Sequence, residues 1–73
     1  MGEIQAGDTI DVRTAFDQWR QRRALSGVLP GDRFAVVWAC RPEEWDAAQA
    51  EGREPEGVPW PADDVRLAEH AHA

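Results

Sequence analysis

Thr14-Ala15-Phe16-Asp17-Gln18-Trp19-Arg20-Gln21-Arg22-Arg23-Ala24-Leu25-Ser26-Gly27 is the stretch on which the fold turns. Thr14 precedes Asp17 by three residues, an acidic variant of the capping box, which puts a helix start at Thr14. At about 100° per residue, Ala15, Phe16 and Trp19 share one apolar stripe. Arg13, Asp17, Gln18, Gln21 and, at the edge, Arg20 cover the opposite side. Gly27 suits a left-handed C-terminal cap, and Arg22 and Arg23 are well placed against the negative end of the helix dipole. The pattern predicts a helix over 14–26.

Upstream, Ile10 and Val12 alternate with Asp11 and Arg13, as in a short half-buried strand beginning at Thr9. Val12 also falls on the apolar stripe if the helix starts at Asp11, so both assignments stay open for it. Residues 1–8 carry little pattern and are expected to fray, with Gly7-Asp8 reading as a turn. Downstream, Leu29-Pro30-Gly31-Asp32 signals a turn. Phe34 to Cys40 is a continuous apolar run of seven residues whose β-branched content favours a buried strand. Pro42 suits the first position of a second helix over 42–51, with Glu43 and Glu44 facing the positive end of its dipole and Gly52 ending it. Its one bulky anchor is Trp45. Residues 53–61 hold three prolines and one glycine and read as a loop. Asp63-Asp64 suits the cap of a short helix over 64–70, whereas the alternation of Val65 and Leu67 suits a short strand. The tail at 69–73 is expected to fray. The expected fold is one small α+β domain over residues 1–73, in the order β-α-β-α, followed by a Pro-rich loop and a short C-terminal element.

Composition narrows the function. A chain of 73 residues buries only about 60% of its unfolded surface, so its core is thin. Leu, Ile, Val and Phe supply thirteen positions, below the roughly 20% under which charged chains drift towards disorder. Four tryptophans offset this, each able to bury on the order of 200 Å². Fourteen acids against eight bases, for a net charge of −6, disfavour direct contact with nucleic acid and with anionic membranes. No run approaches the roughly 20 apolar residues of a membrane span, and the first residues do not resemble an export signal, so a cytoplasmic location is expected. With Cys40 as the single cysteine, neither an intramolecular disulfide nor a Cys-based zinc cluster is available. All the basic residues are Arg, while Lys, Asn and Tyr are absent and Ala supplies twelve positions, as in a GC-rich bacterial or phage genome.

Few residues promise chemistry. Cys40 stands where the strand passes into the second helix, but Glu43 and Glu44 oppose a thiolate there and a structural cysteine is the better reading. His70-Ala71-His72 lacks a third ligand of fixed position. The doublets Glu43-Glu44 and Asp63-Asp64 point about 100° apart on a helix and are better explained as capping residues than as acid/base pairs. There is no glycine-rich phosphate loop, no serine elbow (Ser26 is the lone serine) and no zinc-protease motif. No catalytic residue, cofactor or metal is expected. Binding is the stronger theme, because tryptophan is enriched in interface hot spots. Trp19 and Trp38 are expected in the core, leaving Trp45 and Trp60; Trp60 is either an exposed anchor or a latch over the core. Arg23, set on the apolar stripe, suits a cation–π contact or an acidic partner. Six carboxylates (Glu43, Glu44, Asp46, Glu51, Glu54 and Glu56) crowd fourteen residues. The sequence therefore points to a non-enzymatic interaction module, or a small subunit of a larger assembly, that binds a protein partner or its own copies. The surface expected to do so comprises Trp60, Trp45, Arg23, Glu43, Glu44, Glu51, Glu54 and Glu56. The alternative is an acidic inhibitor that mimics nucleic acid and occupies a basic site on its target.

Overall fold

The alternating residues Ile10 and Val12 do form a strand, β1 (Thr9–Arg13), in the computed structural model, which describes residues 3–68. It is followed by β2 (Trp19–Ala24), β3 (Val36–Cys40), α1 (Pro42–Glu51), β4 (Val58–Pro61), a single 3₁₀ turn (Ala62–Asp64) and β5 (Val65–Leu67). All pairings are antiparallel, in the order β4-β3-β2-β1-β5. Five strands spaced about 4.8 Å apart would hold β4 and β5 some 19 Å from each other in a flat sheet. The 3₁₀ turn that joins them rises only about 2 Å per residue. The sheet therefore has to curl until its two edge strands approach. β2 makes the bend: it pairs with β1 from Trp19 to Arg23 but with β3 only at Arg23 and Ala24, continued by Leu25 N–H donating to Trp38 O at 2.7 Å.

Inside the curl lie Ile10, Val12, Ala24, Val37 and Ala39, all essentially inaccessible. Two of the five are alanines, as expected where a tightly bent sheet leaves little room between its walls. Ile4, Trp60, Ala62, Val65 and Leu67 close the core around its margin.

The predicted β-α-β-α order is overturned by residues 14–26, which contain no helix. Asp17 N–H donates to Thr14 O (3.1 Å), Thr14 N–H to Gln18 O (2.8 Å), and Asp17 has φ +58°. That is a three-residue hairpin loop: a tight turn whose last residue is left-handed. The Thr14–Asp17 spacing thus marks the ends of a turn rather than a capping box. Asp suits the left-handed position because it tolerates it better than most residues. The supposed apolar stripe dissolves: Phe16 is 85% exposed on the loop, and Trp19 opens β2 on the outer face. Gly27 caps no helix; the carbonyl of Ile4 crosses it so closely that an added Cβ would lie 2.8 Å from the oxygen. Helix propensity is worth a few tenths of a kcal/mol per residue and yields to the pairing that β1 requires.

The second helix does form over Pro42–Glu51 and ends at Gly52 in the left-handed conformation (φ +70°). The segment expected to be a loop ends instead in β4, which contains both Pro59 and Pro61. Ala62 N–H donates to Ala35 O, so by the two-residue period Trp60 and Val58 also aim their amides towards β3. Both prolines then stand where the nitrogen faces outward, and the edge lacks donors at those positions. Of the two readings of the C-terminal element, the strand forms, as β5. Of the ends expected to fray, 1–8 and 69–73, residues 3–8 are described, with Gly7 N–H donating to Ala24 O (2.8 Å) and Ile4 against the core, whereas 1–2 and 69–73 lie outside the described residues.

Because a β-branched residue is strained at positive φ by about 1–2 kcal/mol, Asp17→Val should lower the melting temperature by roughly 5–10 °C. Asp17→Gly should leave it unchanged or raise it. Thermal unfolding followed by circular dichroism distinguishes these outcomes from a helical 14–26, in which glycine would be the more damaging substitution.

Candidate functional site

α1 is inserted between two neighbouring strands and lies against the outer face of the sheet. Its docking rests on Trp45, the one large apolar side chain of an otherwise polar and Ala-rich helix, with Ala48 buried beside the sheet. The guanidinium of Arg23, on β2, lies 5.2 Å from the centre of the Trp45 ring. The same group donates to Gly7 O (3.2 Å) and Thr9 Oγ1 (3.1 Å), so its position is fixed from three sides. Arg23 therefore serves inside the molecule, joining helix, sheet and N-terminal segment.

Trp38 lies on the opposite face of β3 from the core residues Val37 and Ala39 and is 41% exposed. It faces the same open groove as Trp45. The groove has a volume of about 550 Å³ and is completed by Ala6, Leu25, Ser26, Glu54, Pro55 and Gly57. Gly57 is obligatory in its wall: an added Cβ would lie 2.3 Å from Ala39 O and 2.7 Å from Leu25 Cδ1. A second depression, of about 430 Å³, lies beyond the same segment. Arg22, Arg41, Glu44, Glu56, Val58 and Trp60 are among its lining residues. Trp60 folds back against the core and shows only part of its surface there.

The six carboxylates do not form one uniform surface. Arg53 donates to Glu44 Oε2 through Nη1 (2.6 Å) and to Glu51 Oε1 through Nε (2.6 Å), and Glu56 N–H donates to Glu44 Oε2 (3.0 Å). Glu44 and Glu51 are thereby committed to holding the 51–56 segment onto α1. Glu43, Asp46, Glu54 and Glu56 have no ion-pair partner among the described residues. Of the residues expected to form the interaction surface, Trp45 and Glu54 line the large groove, and Glu44, Glu56 and Trp60 the smaller one. Arg23 and Glu51 belong to internal contacts, and Glu43 is exposed on the helix.

Trp38, missed as a surface residue, was hidden within a continuous apolar run. Taken with the two-residue period of a strand, that run already sets Trp38 opposite Val37 and Ala39. Trp19 also lies outside the core, with Arg66 3.9 Å and Arg13 5.8 Å from its ring centre. Arg13 is anchored by Asp64 (2.6 Å), which holds its guanidinium protonated beyond its ordinary range. Cys40 is buried, and burial, reinforced by Glu44, pushes its thiol up, away from the thiolate form a nucleophile needs. No group of three or more potential metal ligands occurs among the described residues, and His70 and His72 lie outside them. No helix there is long and apolar enough to cross a membrane. A scan against protein-family models gives no match to this chain, and searches of the curated proteins and of the solved structures give none either.

The Arg53 guanidinium, followed by the Glu56 amide, holds the Glu44 carboxyl below its ordinary value of 4.5. A carboxyl depressed by folding stabilises the native state above its unfolded pKa, and that contribution is lost as pH falls through the folded one. Melting temperature should accordingly drop as pH is lowered below about 4.5. In Glu44→Gln that acid limb should be shallower, with a lower plateau near neutrality, in scans across the same pH range.

Proposed function

We propose that the protein is a non-enzymatic interaction module that holds a segment of another protein chain in the Trp38–Trp45 groove. The carrying observation is Trp38: a large aromatic side chain, 41% exposed, beside a second tryptophan in a concave site. Leaving tryptophan in contact with water is unfavourable by roughly 25 cal/mol per Å² of apolar surface, and such residues recur as interface anchors. The proline-blocked edge of β4 supports binding through side chains over strand addition to that edge, by a partner or by a second copy. The acidic mimic of nucleic acid draws on the same region but has less support, since Arg53 engages two of its six carboxylates.

Trp38 and Trp45 must be probed differently. Truncating Trp45 removes the anchor of α1 and should destabilise the fold by about 2–4 kcal/mol. Trp38→Ala should cost less than about 1.5 kcal/mol, because much of that side chain is already in water. In pull-downs from nuclease-treated lysate, a partner of the wild type that survives high salt and is lost with Trp38→Ala is the expected result. Capture that fails at high salt and is indifferent to Trp38 would favour the acidic mimic. Light scattering on the purified protein should give the monomer mass; a Trp38-dependent dimer would make a second copy the occupant.

A further inference from the structure

We propose that the groove selects a basic segment, with an arginine or lysine stem laid along Trp38 and its charged head at Glu54. This rests on the interaction reading above and adds the chemistry of the partner. Charge favours a cationic occupant. From Glu43 to Glu56 the chain has six acids and one base, and that base, Arg53, is held by Glu44 and Glu51. Glu54, on the groove wall, has no ion-pair partner among the described residues, and Glu43, Asp46 and Glu56 add unneutralised charge on the same segment. A cationic partner would be steered towards this side of the molecule.

The protein's own tryptophans gather arginines. Trp19 receives Arg66 and Arg13, and Trp45 receives Arg23. No described arginine lies over Trp38, although it is the one exposed tryptophan of the four and Glu54, without an ion-pair partner among the described residues, lines the same groove. An aromatic ring and an unpaired carboxylate on the walls of one groove suit a guanidinium or ammonium: the ring attracts the cation and the carboxylate accepts its hydrogen bonds. Leu25, Pro55 and Ala6 supply apolar wall for a neighbouring aliphatic side chain. At about 550 Å³ the groove is in the range of sites that enclose a small ligand, so it suits a few side chains rather than a whole helix.

The test is a random-heptapeptide library panned on the immobilised full chain, with Trp38→Ala as the counter-selection. Defined probes then follow: an acetylated, amidated pentapeptide alternating Arg and Leu, and its twin with citrulline for every Arg. Binding is read by intrinsic fluorescence and by amide shifts of Ser26, Glu54 and Gly57. Peptides enriched on the wild type should carry Arg or Lys beside an apolar residue. The Arg probe should bind about tenfold more tightly than the citrulline twin. Glu54→Gln should remove most of that difference, and Trp38→Ala should abolish the shifts. Enrichment of apolar peptides without basic residues, or equal binding of the two probes, would overturn the basic preference and leave the interaction module standing. Arg-probe binding unchanged in Trp38→Ala would overturn it too, as a diffuse acidic surface. No enrichment over Trp38→Ala would remove the groove as a binding site, and both readings with it.

Discussion

Three residues, Ala62–Asp64, join strands at opposite edges of a five-stranded sheet, and the rest of the structure follows from that short span. A link this short cannot bridge a flat sheet, so the sheet curls, and the curl makes an inside. Without it, a chain with only thirteen Leu, Ile, Val and Phe residues would have nothing to pack them against. Curling also dictates residue size. Ala24 and Ala39 are cross-strand partners in the short β2–β3 pairing at the bend, whereas Ile10, Val12 and Val37 supply the larger buried side chains. The outer face, freed from core duty, is then available to arginines, tryptophans and one docked helix.

Cation–π contacts do on that outer face what aliphatic packing does inside. Arg23 ties α1 to β2 through Trp45, while Arg13 of β1 and Arg66 of β5 both meet Trp19 of β2. In each case the arginine head finds both an aromatic ring and an oxygen acceptor or carboxylate. An arginine-rich, lysine-free composition suits this use, since the planar guanidinium stacks where an ammonium does not.

Legibility in the sequence followed the range of the interactions. β1, β3 and α1 could be read because local pattern and global fold agree there: alternation at Ile10 and Val12, an apolar run at 34–40, proline and acids opening the helix and glycine ending it. β2 could not. Arg20-Gln21-Arg22-Arg23 has no apolar alternation and good helix propensity, and its strand conformation comes from neighbours on either side. β4 was concealed by Pro59 and Pro61, which deny a central strand but are harmless on an outward-facing edge. The site was half legible. Trp45 and Glu54 could be named, but Trp38 needed the strand's two-residue period applied inside a run without polar markers, and the roles of Arg23 and Arg53 depend on contacts across nine or more residues of chain.

The helix and the acidic segment together form a detour between Ala39 and Val58, which are direct partners in the sheet. Partners of this kind sit about 5 Å apart, a gap that a tight turn of a few residues can close. Everything from Arg41 to Gly57 is in this sense an excursion from a hairpin that already meets at its base. Its length and charge are thus not dictated by the pairing of β3 with β4, which closes without it.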